Sequence, residues 1–292
     1  MGGLRGPLRR SRPRAPKRPP SGRHVRGWGT RVQPLGMPEL PEVESTVRAL
    51  RPKVLGQTLL RLHALDPVFD FVPKSLALPA QVRALERQGK YILFGLGDLW
   101  LVVHLRMSGR LLWEEGQARP PHTRLVLEFP HGNVLFVDVR RLGTVEVVPE
   151  FTEELGPDAL SDLSFLPEAL KGSRAPIKVW LLDQRNIAGI GNIYAAEILF
   201  RAGIDPRRPA NSLGPREVQR LKEAIPKVLK EAIEALGTTL ADGAYQTPEG
   251  EAGDYEPWVY GREGLPCKVC GTPIERIELG GRGTYFCPRC QR

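Results

Sequence analysis

Met37-Pro38-Glu39-Leu40-Pro41-Glu42-Val43-Glu44 is the stretch to which the rest of the 292-residue chain answers. Proline suits the first turn of a helix and acids suit its positive end. Leu40, Val43, Val47 and Leu50 add an apolar stripe, so a helix starts here. The same residues admit a chemical reading. If translation begins at Met37 and that methionine is removed, Pro38 is the chain terminus and carries a free secondary amine. A proline inside a chain has its nitrogen bound in an amide and is neither basic nor nucleophilic. A terminal one is both, because α-amino groups titrate near about 7.7 to 8.0 and are partly unprotonated at neutral pH. Attack on a sugar C1′ would give an iminium, whose positive charge draws off electrons in later eliminations. Glu39 would stand beside the amine as a carboxyl acid or base. The two readings are compatible.

Residues 1–36, ahead of this stretch, hold ten Lys or Arg, no Asp or Glu, and many Pro and Gly. Such a composition builds no core and predicts a disordered basic leader. The formal charge of +9 belongs to it: without those ten, 32 basic residues face 33 acidic ones. Binding of nucleic acid must therefore rest on local asymmetry. Residues 37–170 hold 14 basic and 18 acidic groups, residues 171–230 hold 12 and 5, and residues 261–292 hold 6 and 3. The positive field thus sits in the C-terminal half. The leader is Arg-rich and acid-free like a targeting peptide, but has no sustained apolar segment and little Ser. It could also serve as a basic arm for DNA. A mis-assigned start codon explains it more simply. No run approaches the roughly 18 apolar residues that a membrane span needs, so a soluble protein with no membrane partner is expected.

After the first helix, which Arg51-Pro52 should end, short apolar runs alternate with turn signals. Strands are expected over residues 58–64, 91–96, 100–105, 110–113, 124–129, 134–139 and 144–148, with hairpin turns at Gly97-Asp98 and His131-Gly132-Asn133. That many short strands predict a sandwich or barrel. From Pro176 the apolar period becomes helical, through Ile177, Trp180 and Leu181, then Ile193, Ala196, Leu199 and Phe200. Between these helices, Asn186-Ile187-Ala188-Gly189-Ile190-Gly191-Asn192 permits a tight turn, with Asn192 as candidate cap. Its backbone amides would form an anion site for a DNA phosphate, with Lys178 and Arg185 close in sequence. An ordinary helix hairpin with solvated charges fits the same residues. A further helix runs from Pro215 to about Leu236, with a kink expected at Pro226. Residues 237–261 are Gly-rich and aperiodic, as a functional or mobile loop would be.

All four cysteines lie in the last 26 residues, as Cys267-x-x-Cys270 and Cys287-x-x-Cys290 with sixteen residues between the pairs. This is the spacing of a four-cysteine zinc ribbon in a reducing compartment, not of a disulfide framework. Four thiolates fill the coordination of zinc, so one structural Zn2+ is expected. Arg282 falls on the turn between the ligand pairs, where the hairpin would present it to a nucleic-acid groove.

Taken together, these pieces resemble the bacterial formamidopyrimidine-DNA glycosylase family, over the whole of residues 37–292. The match rests on the Pro38–Glu44 stretch, Gly89-Lys90-Tyr91, His104-Leu105-Arg106-Met107-Ser108-Gly109, Gly191-Asn192-Ile193-Tyr194, and the ribbon with Arg282-Gly283-Thr284-Tyr285-Phe286-Cys287. The resemblance implies an α+β multidomain protein. Its parts would be a catalytic β-sandwich over residues 37–150, a helix-two-turn-helix domain over 165–260 and a four-cysteine zinc finger over 261–292. It implies a monomeric, cytoplasmic base-excision-repair enzyme that binds damaged double-stranded DNA between its halves. The enzyme would remove formamidopyrimidines and 8-oxoguanine, and cut the strand as an AP lyase. Carried over by position, Pro38 would be the Schiff-base nucleophile and Glu39 the acid that assists sugar opening. Lys90 would act in β-elimination and Arg282 in δ-elimination. His122, Arg141, Lys178 and Asn192 would contact phosphates, while Met107, Arg140 and Leu142 would fill the gap left by the extruded nucleotide. Leu142 stands where the family usually has Phe, and Val139 where it has Pro. Two alternatives are an endonuclease VIII-like enzyme for oxidised pyrimidines and a non-catalytic zinc-ribbon DNA-binding protein. Pro-Glu-Leu-Pro rather than Pro-Glu-Gly-Pro at the start favours the purine enzyme.

Overall fold

The computed structural model describes residues 38–292 except Asp242 and Ala244, so the expectations placed on the leader lie outside the described residues. Helix α1 (Leu40–Val54) starts where expected but runs through Pro52 instead of stopping there. Val54 is fully buried and Leu55 N–H reaches back to Arg51 O (3.0 Å). Burying Val54 outweighs the hydrogen bond that proline cannot donate. The apolar stripe of α1 is shared out: Val43, Val47, Leu50 and Val54 enter the core of the sandwich, whereas Leu40 enters the core of the helical half. The first turn of α1 therefore lies on the seam.

The expected strand over 58–64 is two strands, β1 (Thr58–Leu59) and β2 (Arg61–Ala64). They belong to different sheets, and Leu60, whose N–H donates to Glu128 O (2.8 Å), is the corner between them. A short helix α2 (Phe71–Lys74) leads to β3 (Ala80–Gln88), a strand the apolar pattern does not predict. Its buried residues Val82 and Leu85 are spaced as on a helix face, but a register shift between Val82 and Ala84 turns both to the core. A β-bulge inserts one residue and so disguises the alternation. The hairpin β4 (Tyr91–Leu96) and β5 (Leu99–His104) follows, then β6 (Gly109–Glu114), the hairpin β7 (Thr123–Phe129) and β8 (Gly132–Asp138), and β9 (Thr144–Val148). A five-stranded sheet in the order β1-β3-β4-β5-β9 faces a four-stranded sheet in the order β2-β7-β8-β6.

The helical half is α3 (Leu166–Lys171), α4 (Ile177–Leu182), α5 (Asn192–Ala202) and α6 (Pro215–Glu234), the last continuing through Pro226. Its core is continuous with that of the finger, where β10 (Glu275–Leu279) and β11 (Arg282–Phe286) form an antiparallel hairpin. The described residues of 237–261 form no helix or strand, but they are anchored. The N–H groups of Trp258, Val259 and Tyr260 converge on the buried carboxylate of Glu197 in α5, and Trp113 N–H of β6 donates to Pro248 O (2.8 Å). Among the described residues no helix is long and apolar enough to cross a membrane.

Candidate active site and zinc cluster

Pro38 and Glu39 are both buried at the seam. The Glu39 carboxylate accepts backbone N–H groups from Gly191 (2.8 Å), Ile193 (2.8 Å) and Tyr194 (3.2 Å) at the start of α5. The anion site expected in this turn therefore exists, but the group it holds is the protein's own Glu39 carboxylate and not a phosphate. Asn192 is not the cap; Gly191 is, and a Cβ there would lie 2.6 Å from Glu39 Cδ. Gly189, at φ +112, makes room in the same way for Leu40, whose N–H donates to Gly189 O (3.0 Å). The two glycines let the start of α1 approach the start of α5.

Glu42 completes the seat. Its Oε2 accepts the N–H of the Pro38–Glu39 peptide (2.8 Å), and its Oε1 accepts Tyr194 OH (2.6 Å) and Thr238 N–H (2.8 Å). Burial, with Glu39 close by, pushes the Glu42 carboxyl up to about 7. Burial also raises Glu39, against the opposing charge of Lys90 and the three amides. The motif contains Glu42, yet nothing local marks it as the residue that holds the Pro38–Glu39 peptide. Its partners lie 152 and 196 residues away.

Lys90 is buried in the turn between β3 and β4. Burial lowers its pKa, Glu39 acts against that, and Arg282 adds to it. Arg282 opens β11 and is exposed. Its neighbour Gly283 is held by the finger's dock on the helical half: Gly283 O accepts from Lys178 Nζ (3.2 Å) and Asn192 Nδ2 (3.0 Å), and Lys178 also donates to Thr284 Oγ1 (2.5 Å). Lys178 is fully buried, and burial, with Arg282 adding, lowers it to about 8. Glu39, Lys90, Lys178, Asn192 and Arg282 thus meet around one seam.

The remaining predicted residues form an exposed rim. His122, Arg140, Arg141 and Leu142 are exposed and Met107 is half-buried. Arg140 Nη1 lies 3.8 Å from Met107 Sδ, joining the two loops, and Arg141 Nη2 pairs with Asp66 Oδ1 (2.7 Å). Arg106, His122 and Arg141 have φ of +51, +68 and +56, left-handed backbone that costs a non-glycine residue about 1–3 kcal/mol. Asp138 holds this strained segment: its carboxylate accepts Arg140 N–H (3.2 Å), Gly143 N–H (2.7 Å) and the Ser108 hydroxyl.

The four cysteine sulfurs all lie within 4.8 Å of one another, with Cys267 to Cys290 at 3.9 Å and Cys270 to Cys287 at 3.5 Å. Zinc–sulfur bonds of about 2.3 Å place tetrahedral ligands about 3.8 Å apart, so the donor set fits one zinc ion. No ligand position remains for water, and the metal's work is to hold the hairpin that carries Arg282.

Three family models match the chain: the formamidopyrimidine-DNA glycosylase N-terminal domain over residues 37–145, the H2TH domain of the same enzyme over 155–243, and the zinc finger found in FPG and IleRS over 264–292. A formamidopyrimidine-DNA glycosylase of Thermus thermophilus is 46% identical over 268 residues, covering 87% of this chain and 98% of its own. The crystal structure of the MutM (Fpg) protein from Thermus thermophilus matches with a TM-score of 0.79 at 44% identity, over 87% of this chain and 98% of that one. A structure of MutM in complex with DNA containing carbocyclic 8-oxo-G matches at 0.78 and 34% identity, over 87% of this chain and all of that one. With sandwich, helix-two-turn-helix half and four-cysteine finger all present, the chain belongs to the formamidopyrimidine-DNA glycosylase family of DNA-repair enzymes and carries the site for one structural zinc ion.

Proposed function

We propose that this chain excises oxidised purines, formamidopyrimidines and 8-oxoguanine, from duplex DNA through a Schiff base on Pro38 and then cleaves the strand as an AP lyase. The observation that carries the reading is the seat of Glu39. Three amides of α5 hold its carboxylate, on which Lys90's charge acts, while Glu42 holds the Pro38–Glu39 peptide, so the residue next to Pro38 is fixed at both its side chain and its backbone before DNA arrives. Such preorganisation is how an enzyme converts an encounter into a reaction.

With Pro38 as the chain terminus, its amine attacks C1′ and the bond from C1′ to the base breaks. Glu39 delivers a proton to the ring oxygen as the sugar opens, leaving an iminium between Pro38 and C1′. That electron sink acidifies the C2′ proton, and its removal expels the 3′ phosphate. Lys90 acts in this β-elimination, and Arg282 in the δ-elimination that releases the 5′ phosphate. A base cannot be processed at its sugar while stacked, so the nucleotide must be extruded. Met107 and Leu142 act as apolar wedges with Arg140 beside them. His122 and Arg141 contact phosphates, and Lys178 and Asn192 support the phosphate-facing finger through Gly283. Every residue named comes from one chain, so a monomer suffices.

The substrate class rests on the relative's name and on the 8-oxo-G complex of its structural neighbour. A form beginning at Pro38 should release 8-oxoguanine and formamidopyrimidine from duplex DNA faster than dihydrouracil in the same sequence. A preference for dihydrouracil would move the assignment to the pyrimidine enzyme, and no release of any base would leave only DNA binding.

A further inference from the structure

We propose that Arg87 and Asp158 are positioning residues for the elimination step: they grip the backbone of the Gly89–Lys90 turn from both sides and so set where the Lys90 ammonium stands. The inference rests on the role given to Lys90 above.

Lys90 is buried and its ammonium feels the charges of Glu39 and Arg282, so where it stands among them depends on where its backbone is held. That backbone is held closely. Arg87, on β3, has a side chain only 9% exposed. Its Nη1 donates to Gly89 O (2.9 Å), the carbonyl of the peptide that enters Lys90. Asp158, from the segment between β9 and α3, accepts Gly89 N–H on Oδ2 (3.2 Å). The two residues also lock each other as a bidentate pair, Nη1 to Oδ2 at 2.5 Å and Nη2 to Oδ1 at 3.1 Å, while Arg87 Nε pairs with Glu44 Oε2 of α1 at 2.7 Å. A planar guanidinium on a carboxylate fixes orientation as well as distance.

The clamp also references the turn to the nucleophile. Asp158 lies alongside Ala188, with Ala188 N–H donating to Pro157 O and Ala159 N–H to Ala188 O, both at 2.9 Å. Gly89 packs on that segment, where a Cβ would lie 3.2 Å from Ala188 Cβ. One residue further, Gly189 O accepts Leu40 N–H, two residues from Pro38. Glu44 ties the same guanidinium to α1 without touching the turn. Lys90 is thereby indexed to Pro38 through Asp158 and the Ala188–Gly189 segment, and the grip of Arg87 and Asp158 on the Gly89 backbone is the part specific to Lys90.

The test is a double-mutant cycle on the form beginning at Pro38, read as the single-turnover rate on an 8-oxoguanine duplex. Arg87→Lys, which keeps the charge, and Asp158→Asn, which keeps the size, should each lower the rate about ten- to a hundredfold, as a misplacement near 1 Å does. Affinity for duplex containing a tetrahydrofuran abasic analogue should be unchanged. In a Lys90→Ala background the same substitutions should cost no more than about twofold, the scatter expected of independent sites. Glu44→Gln should stay within about twofold of the parent. Equal losses in both backgrounds, or losses matched by Glu44→Gln, would overturn the positioning role and leave Lys90's assignment standing. A Lys90→Ala enzyme with an undiminished rate would remove that assignment, and this inference with it.

Discussion

The seam and the rim of this molecule both carry polar side chains, but the seam buries them and the rim exposes them. At the seam, Glu39 and Glu42 are buried and each oxygen already has a protein donor. At the rim, Leu142 is 40% exposed and Val139 51%, and the segment passes through left-handed backbone at Arg141 while the Asp138 carboxylate, the Ser108 hydroxyl and the Arg141–Asp66 pair hold it from beneath. A buried carboxylate is stable only when its hydrogen-bonding capacity is met, so Glu39 and Glu42 are seated by the protein alone. The rim presents the apolar tips of Val139 and Leu142 and the side chains of His122, Arg140 and Arg141 to solvent. Under the proposed function this difference separates two jobs: chemistry set in advance, and recognition made on contact. Substitutions should respect it.

The largest effect is expected from the finger, which belongs to the seam through Lys178, Asn192 and Gly283. Zinc chelation or Cys287→Ser should abolish DNA binding while the sandwich, with its separate core, stays folded. Lesion binding by metal-free protein at the parental level would detach the finger from this account. Next is Glu39→Gln. Base release from an intact lesion should fall by about 10²- to 10⁴-fold, the usual range for a lost acid–base group. Covalent trapping on a pre-formed abasic site should survive, since an open aldehyde needs less acid help. Loss of both activities alike would make Glu39 structural only.

Glu42 gives the seam a pH signature. Its folded pKa, raised to about 7 from the ordinary 4.5, means that the folded state binds the proton more tightly than the unfolded one. Its contribution to stability is then fully present below about 4.5 and lost as pH rises through about 7, to the extent of roughly 3 kcal/mol. Thermal unfolding from pH 4 to 8 should show this slope, and Glu42→Gln should flatten it. An unchanged slope in the variant would assign the titration elsewhere. The smallest effect belongs to the rim. Leu142→Phe restores a ring that can stack and should sharpen discrimination between bases opposite the lesion by about 1 kcal/mol, roughly fivefold, with little change in trapping. No change in opposite-base preference would argue that residue 142 does not meet the gap.

What is legible in the sequence follows the same division by distance along the chain. The spacing of the four cysteines, the Gly97-Asp98 hairpin and the start of α1 are local patterns, and each appears in the structure as expected, while the second hairpin turns at Pro130-His131 rather than at His131-Gly132-Asn133 because Gly132 and Asn133 already pair with β7. Strand β3 is not legible because its bulge turns a period of two into an apparent helical spacing, and its Ala, Gln, Glu and Arg residues favour a helix. The glycine turn before α5 is legible as an anion site. Its occupant is not, since Glu39 lies 152 residues upstream of Gly191. Arg87 and Asp158, 71 residues apart, carry no motif at all, and only the fold makes them a pair.

The central claim is that the nitrogen of Pro38 is the nucleophile, and one measurement bears on it most directly. Two forms are compared on an 8-oxoguanine duplex in the presence of borohydride, which reduces an iminium to a stable amine. One begins at Pro38. The other has a single glycine placed before it, which keeps every other side chain and turns the amine into an amide. The account predicts a covalent protein–DNA adduct with the first form and none with the second. Equal trapping by both would contradict it and point to another amine, with Lys90 the first to examine.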